Sequence, residues 1–171
     1  YSKLSPERLH LLQRSVPAHG LKPRPVDLLE QRIPRVWLLT DDRRAPRRDV
    51  VGLFNWDEKN PVTIERSVKE IGLPAAKAYV GFDYWANEFI EPFSDTLETT
   101  LPAASCRILA VRPVVTHPQV ISTSRHITQG VTDLISERWN AETKRLEGVS
   151  DVVGGDPYEI RIAALGEAGN W

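Results

Sequence analysis

From Pro34 onward the chain alternates short apolar segments of extended character with the prolines and glycines that separate them. The segments are "RVWLL", "VVGLFNW", "VTIERSV", "AKAYVGFDYW", "DTLETTL", "CRILAVRPV", "QVISTS", "TDLISERW", "RLEGVSDVV" and "YEIRIAAL". Turn residues recur roughly every 8 to 12 residues, and no long helical period separates the segments. This spacing predicts an all-β fold, an antiparallel β-sandwich with Greek-key connections, rather than a parallel sheet.

Two of these regions carry more specific predictions. The first two segments, joined by the charged stretch "TDDRRAPRRD", predict a hairpin with a solvated tip. In "YEIRIAAL" the apolar side chains of Tyr158, Ile160 and Ile162 alternate with Glu159 and Arg161. Such alternation is typical of a half-buried antiparallel strand.

The N-terminal region differs, because its apolar residues follow a helical period. Ser5 can cap a helix, Pro6 suits its first position, and Leu9, Leu12 and Val16 recur at helical spacing. A proline-rich stretch follows this predicted short helix and is more typical of a connector than of a second helix.

Composition excludes several partners. The 22 basic side chains nearly cancel the 23 acidic ones, so no overall field attracts nucleic acid or an anionic membrane, and neither is expected as a partner. The single Cys106 cannot form an internal disulfide, and within "CRILAV" we expect it to be a buried small hydrophobe. The sequence contains no methionine, so we expect it to be part of a longer product.

Strong catalytic and cofactor signatures are absent from the sequence, and the histidines are scattered without ligand spacing, so we expect no cofactor and no metal. The stretch "STSRHITQG" does place Ser124 and His126 close together. A serine hydrolase centred on them is the weakest hypothesis, since no oxyanion-hole loop is recognisable. We instead predict a turn at Gly130, in which Arg125 and His126 tie this connection to neighbouring strands or to another domain, or contact a sugar.

Two aromatic groups are candidates for a carbohydrate or interdomain contact. Trp56 precedes Asp57 in "FNWDEKN", and Trp85 follows Asp83 in "GFDYWANEF". Aromatic faces stack on the C–H faces of sugars, while carboxylates accept hydrogen bonds from sugar hydroxyl groups. Packing within the core or between domains is the alternative role for the same side chains.

Several stretches also occur in a familiar order: "LSPERLHLLQRSVPAHGLKPRPVDLLEQRIPRVWLL", "VVGLFNWDE", "GFDYW" and "LPAASCRILAVRPVVTHPQVISTSRHITQG". From about Leu4 to about Ile162, this order resembles the C-terminal end of α-galactosidase-like (melibiase-type) glycoside hydrolases. The resemblance implies that the last helix and closing connector of a catalytic (β/α)8 barrel lead into an antiparallel β-sandwich. The family's aspartate nucleophile and acid/base would lie upstream of Tyr1, so no catalytic residues are expected on this chain.

The resemblance also implies a domain organisation and a partner. Residues 1–33 would be the terminal helix and linker of the barrel, and residues 34–171 would be a non-catalytic sandwich that stabilises or flanks it. The expected partner is therefore the catalytic barrel of the same parent protein. A free-standing carbohydrate-binding or adhesion module that uses Trp56 and Trp85 directly is the alternative function.

Overall fold

The computed structural model describes residues 3–16 and 18–165. It contains two helices, α1 (Pro6–Ser15) and α2 (Val68–Ile71). The strands are β1 (Arg24–Pro25), β2 (Val36–Asp41), β3 (Arg48–Phe54), β4 (Val62–Ser67), β5 (Tyr79–Asp83), β6 (Glu88–Phe93), β7 (Thr96–Leu101), β8 (Cys106–Pro113), β9 (Gln119–Thr123), β10 (Leu134–Asn140), β11 (Arg145–Ser150) and β12 (Ile160–Ala163). Neither described helix has the length and apolar character needed to cross a membrane.

The centre of the fold is a six-stranded sheet with the order β1-β2-β3-β8-β5-β6. Its pairs are antiparallel, and β2 and β3 form the predicted hairpin. The central pair joins β3 to β8 in a register that places Val51 opposite Leu109, although 58 residues separate them in sequence. Segments distant in the chain thus pair at the centre of the sheet, and the prediction of an antiparallel all-β sandwich is confirmed.

The first face of this sheet packs against the two-stranded ribbon β4-β7 and against α2. Alternate residues of the sheet point to this side, because side chains along a strand alternate between faces. The buried cluster contains Val36, Leu38, Val51, Leu53, Ile64, Ile71, Leu73, Tyr79, Leu97, Leu101, Leu109 and Val111. This layer pair is the main hydrophobic core.

The second face is partly covered by later segments of the chain, including the ribbon β9-β12. Val80 and Phe82 of β5 and Ala110 of β8 pack there against Ile121 and Ala163. A smaller cluster joins Leu39, Val50 and Val131. The segments that follow β8 therefore form a third layer on the central sheet.

A buried ionic network attaches this third layer. Glu137 on β10 accepts hydrogen bonds from the guanidinium groups of Arg48 on β3 and Arg112 on β8. The same carboxylate accepts the backbone N–H of Val120 at 2.9 Å. The burial of Arg48 contradicts part of the predicted solvated hairpin tip, because this arginine points inward toward a carboxylate from another layer.

The N-terminal segment rests on the sandwich through polar contacts. Ser5 caps α1 as predicted, but the helix has no buried residue. Arg14 forms an ion pair with Asp156 at 2.9 Å, and its carbonyl accepts the N–H of Ile127 at 3.0 Å. In the connector, β1 pairs with β2 and the buried Asp27 accepts backbone N–H groups of the segment that enters β2.

Several other features differ from the sequence predictions. The edge strand β6 was not predicted, because Pro92 within it is a strand breaker that only an edge position tolerates. Cys106, expected to be buried, is exposed at the start of β8. In β12 the alternation is present but the faces are reversed, since Ile160 and Ile162 are exposed while the Arg161 side chain is largely buried.

Candidate functional site

Trp56 lies just after β3, with 48% of its surface exposed. Its indole N–H donates to the Pro34 carbonyl at 2.9 Å, and its ring is stacked on Phe54 with the centroids 5.0 Å apart. The neighbouring Asp57 carboxylate accepts the N–H groups of Lys59 and Asn60, and these bonds lower its pKa. Asp57 therefore braces its own turn, and one face of Trp56 is already covered.

A groove beside Trp56 runs over the uncovered part of the second sheet face. It has a volume of about 370 Å³ and is lined mainly by carbon atoms, with Trp37, Phe54, Ile108 and Ile127 among its walls. A sugar needs several hydrogen-bonding groups around an aromatic platform. This groove suits an apolar group better than a carbohydrate.

Asp83 and Trp85 lie at the end of β5 and in the turn that leads to β6. Asp83 is buried, accepts the N–H of Trp85 at 3.0 Å and forms an ion pair with Arg107 at 2.5 Å. The Asp83 carboxylate is therefore already occupied by the turn backbone and by Arg107. Trp85 is 39% exposed and meets the Tyr84 ring edge to face at 5.0 Å.

A second depression, of about 300 Å³, lies beside Trp85. Its lining combines Trp85 with polar side chains from several parts of the chain, including His10, Arg14, Asn87, Glu159 and Arg161. Tyr84 lies at its base and donates to the Ser124 carbonyl at 2.8 Å, while burial raises the pKa of Tyr84 to about 12. This hydroxyl thus stays protonated and fixes the floor of the depression.

Of the residues that line this depression, only Trp85 is a candidate site residue predicted from the sequence. Asn87 follows it by two residues, but Glu159 and Arg161 lie more than 70 positions away and reach the depression through the β12 pairing. The one available signal in the sequence is the alternation of Glu159 and Arg161 with apolar residues in "YEIRIAAL". The structure turns the face with Glu159 and Arg161 toward Trp85.

The turn around "STSRHITQG" holds His126 in a buried position, with 2% of its surface exposed. Its Nδ1 accepts the Thr128 N–H at 3.1 Å and contacts the Thr128 hydroxyl at 2.7 Å, so the ring proton lies on Nε2. Gly130 has a φ of +101°, as a turn at this position requires. Arg125 donates to the Asp151 carbonyl at 2.6 Å, which joins the turn to the segment after β11.

These contacts direct Ser124 and His126 to different partners. The Ser124 hydroxyl accepts the Glu159 N–H at 2.9 Å, whereas the imidazole bonds within its own turn to Thr128. A nucleophile and its base must hydrogen-bond to each other. The geometry therefore gives the serine hydrolase hypothesis no support.

The ionisation of His126 is set by its surroundings. Burial lowers its pKa below the ordinary value, and the nearby His19 and Arg125 act in the same direction. The Ser15 backbone and the Asp133 carboxylate oppose this shift. At neutral pH the ring is uncharged, which suits an acceptor for a backbone N–H.

Among residues 3–16 and 18–165, no group of three or more His, Cys, Asp or Glu side chains is arranged to hold a metal ion. Asp57 and Asp83 each brace a turn, and Glu137 connects two layers.

The fold and these surfaces define a β-sandwich domain with an apolar groove and a polar aromatic depression. Residues 39–111 match the family model described as "Alpha galactosidase C-terminal beta sandwich domain". This match confirms the resemblance found in the sequence. The matched segment is shorter than the stretch from Leu4 to Ile162 that carries the resemblance, and it ends before β9.

Solved structures to which part of this chain is similar include a GH27 β-L-arabinopyranosidase from Geobacillus stearothermophilus, at 22% identity and a TM-score of 0.44. That likeness covers 55% of this chain and 20% of the other. The alpha-galactosidase I from Mortierella vinacea is 15% identical, with a TM-score of 0.41 and coverage of 54% and 23%. The chain thus spans about a fifth of the length of these proteins. A comparison with curated proteins finds no match.

Proposed function

We propose that this chain is the non-catalytic C-terminal region of a glycoside hydrolase and that it packs against a catalytic (β/α)8 barrel of the same parent protein. The observation that carries the proposal is the family match of residues 39–111, which contain β3, β5, the ribbon β4-β7 and parts of β2 and β8. In this role residues 1–33 are the end of the barrel and the linker, and residues 34–171 are the accessory sandwich. The carboxylates that cleave the glycosidic bond belong to the barrel.

The apolar surface of the N-terminal segment supports this arrangement. Leu4, Leu11 and Val16 are exposed along and beside α1, and the connector exposes Leu28, Leu29 and Ile33. Leu29 is 98% exposed, which is unfavourable for a leucine that remains in water. A concentration of apolar side chains in one segment marks a surface that another domain covers. The barrel is the occupant because the matched family is a C-terminal domain of α-galactosidases.

The experiment compares this chain with the full reading frame that encodes it. In the isolated chain, Leu11→Asp and Leu29→Asp should leave the melting temperature nearly unchanged, because both side chains are exposed. In the full product the same changes should lower the melting temperature by several degrees, because the charge is buried against the barrel. Val152→Asp, at an exposed position after β11, is the matched control and should be neutral in both contexts.

Two outcomes would overturn the proposal. One is an upstream reading frame that encodes no (β/α)8 barrel, which would favour the free-standing module. The other is a full product in which Leu11→Asp and Leu29→Asp behave like Val152→Asp, which would show that the barrel does not cover this segment.

A further inference from the structure

We propose that the depression between Trp85, Asn87 and Glu159 is a binding site for a neutral pyranoside. We call this depression the Trp85 site. Its lining includes His10 and Arg14 of α1, so it lies next to the segment proposed as the end of the barrel, but the inference does not depend on the contacts proposed for Leu11 and Leu29. The depression combines an exposed aromatic ring, polar side chains held by Arg161, and paired charges.

The polar wall of the Trp85 site is held in place by Arg161. Its guanidinium donates to the Asn87 side-chain oxygen at 2.7 Å and to Glu159 Oε2 at 2.6 Å. The same group lies over the Phe82 ring, 4.5 Å from its centroid, and donates to the Ser122 hydroxyl at 3.3 Å. The Asn87 side-chain oxygen and Glu159 Oε2 are thus already hydrogen-bonded to Arg161. The side-chain NH₂ of Asn87 can still donate a hydrogen bond to a ligand, and the second carboxylate oxygen of Glu159 can still accept one.

A donor and an acceptor at fixed positions beside an aromatic ring are the groups that a pyranose requires. Its hydroxyls both donate and accept, and its C–H face packs on an indole ring. Asn87 is well placed for this role because it adopts a φ of +57° in the turn after Trp85, which directs both residues to the same depression. Preorganisation of this kind reduces the ordering cost of binding.

The charges around the site favour a neutral ligand over an anion. Arg161 is paired with Glu159 at 2.6 Å, and Arg14 is paired with Asp156 by two hydrogen bonds of 2.9 and 3.2 Å. Both guanidinium groups are therefore neutralised by carboxylates before any ligand arrives. A phosphate or carboxylate ligand would have to compete with Glu159 and Asp156 for them.

The groove beside Trp56 is less suited to a sugar than the Trp85 site. Trp56 is more exposed than Trp85, at 48% against 39%, but its N–H donates to the Pro34 carbonyl, one ring face is stacked on Phe54, and its groove is lined mainly by carbon. The site beside Trp85 has a volume of about 300 Å³, at the lower end of the range for small-molecule pockets. One monosaccharide unit matches this size.

The test uses the 171-residue chain labelled with ¹⁵N and titrated with methyl α-D-galactopyranoside and methyl α-D-glucopyranoside. We expect saturable shifts of the Trp85 indole N–H and the Asn87 side-chain NH₂, with a dissociation constant on the order of 1 mM, as ligand efficiency allows for a small ligand. The Trp56 indole N–H is the internal control and should not move. Sodium phosphate and cyclohexanol serve as the anionic and apolar probes.

Two variants distinguish binding at the Trp85 site from non-specific binding. Trp85→Ala should weaken pyranoside binding at least tenfold, whereas Trp56→Ala should leave it within about twofold. The inference is wrong if neither pyranoside gives saturable shifts, if the shifts occur at Trp56, or if phosphate or cyclohexanol saturates the Trp85 site while both sugars do not. Because the parent chain alone reports the shifts at Trp85 and Asn87, the result stands even if a variant fails to fold.

Discussion

Arg112 on the central strand β8 donates from one guanidinium nitrogen to both carboxylate oxygens of Glu137 on β10, at 2.9 Å each. Arg48 binds the same carboxylate, and the three side chains are more than 90% buried. Glu137 is therefore the one carboxylate that neutralises two buried guanidinium groups in this contact, and it connects the third layer to the central sheet.

Glu137→Gln tests the strength of this connection. It keeps the side-chain shape but leaves two buried cations without their counter-charge, and breaking a buried pair in this way costs about 3–5 kcal/mol. Urea denaturation should show that loss. Glu147→Gln is the matched control on β11, because Glu147 pairs with Arg138 at 3.5 Å on the surface and should contribute less than about 1 kcal/mol. Equal losses in the two variants would contradict the assigned role of Glu137.

His126→Ala tests the turn that follows β9. The imidazole is the acceptor for the Thr128 N–H, so its removal leaves a buried donor unsatisfied and should lower the free energy of unfolding by about 1–3 kcal/mol. His126→Asn retains an acceptor near the same position and should recover part of the loss. Thermal and chemical denaturation of the three proteins measure the difference. If the alanine variant were as stable as the parent, the hydrogen bond would not support the fold.

The lowered pKa of His126 predicts a pH dependence of stability. Above the ordinary histidine pKa of about 6.5, both the folded and the unfolded chain carry a neutral ring. Below it the unfolded chain binds a proton that the buried ring resists, so the free energy of unfolding should decrease between about pH 7 and pH 5. The pKa of His19, whose ring centroid lies 6.3 Å from that of His126, is also lowered by burial and adds an effect of the same sign.

Melting temperatures measured from pH 7 to pH 5 check this prediction. The decrease should be smaller in His126→Gln than in the parent chain. His117→Gln, which removes a histidine stacked on Trp139 at another part of the surface, controls for the loss of one histidine. The same slope in the parent and in His126→Gln would argue against His126 as the source of the decrease.

Gly81→Ala tests how closely the central strands approach one another. A Cβ at Gly81 would lie 2.8 Å from the Ala110 carbonyl oxygen and 2.9 Å from Ile90 Cδ1, so β5 would have to move away from a neighbouring strand. Overpacking of this kind costs about 1–3 kcal/mol. Gly154→Ala is the control, since nothing lies within 4 Å of the added atom, and it should be nearly neutral in denaturant unfolding. A neutral Gly81→Ala would mean that the strands have more room than their register indicates.

The isolated chain should not hydrolyse an aryl α-galactoside, because the proposed nucleophile and acid/base belong to the barrel. The assay compares the purified 171-residue chain with a mock preparation. Steady turnover that follows the chain through purification would place catalytic residues on the sandwich and would refute their assignment to the barrel.

Most strands could be predicted from the sequence, because apolar alternation and turn residues are local signals. The missed elements were those in which local signals conflict or are too short. Pro92 concealed β6, and the capping pair Ser67 and Glu70 encloses a helix, α2, of only four residues. The division of the chain at residue 33 remains a prediction.

The Trp85 site could be predicted only in part. Trp85 itself was recognisable as an aromatic residue beside a carboxylate, whereas Arg161 meets Asn87 across 74 positions of sequence. Which face of "YEIRIAAL" would be covered depended on a partner strand, and alternation alone cannot identify that partner. Contacts of this kind depend on register between distant segments, which a single sequence does not specify.

The distance in sequence between Arg48 and Glu137 affects the order of events during synthesis. Arg48 is synthesised 89 residues before Glu137, which corresponds to about 4 to 18 s at usual elongation rates. Until β8 has been made, which happens before Glu137 is reached, the β2-β3 hairpin has an open edge. A charged side chain on an open edge discourages pairing with other chains. We therefore expect Arg48 to protect the nascent hairpin from association with its neighbours on the polysome until the rest of the domain has been made.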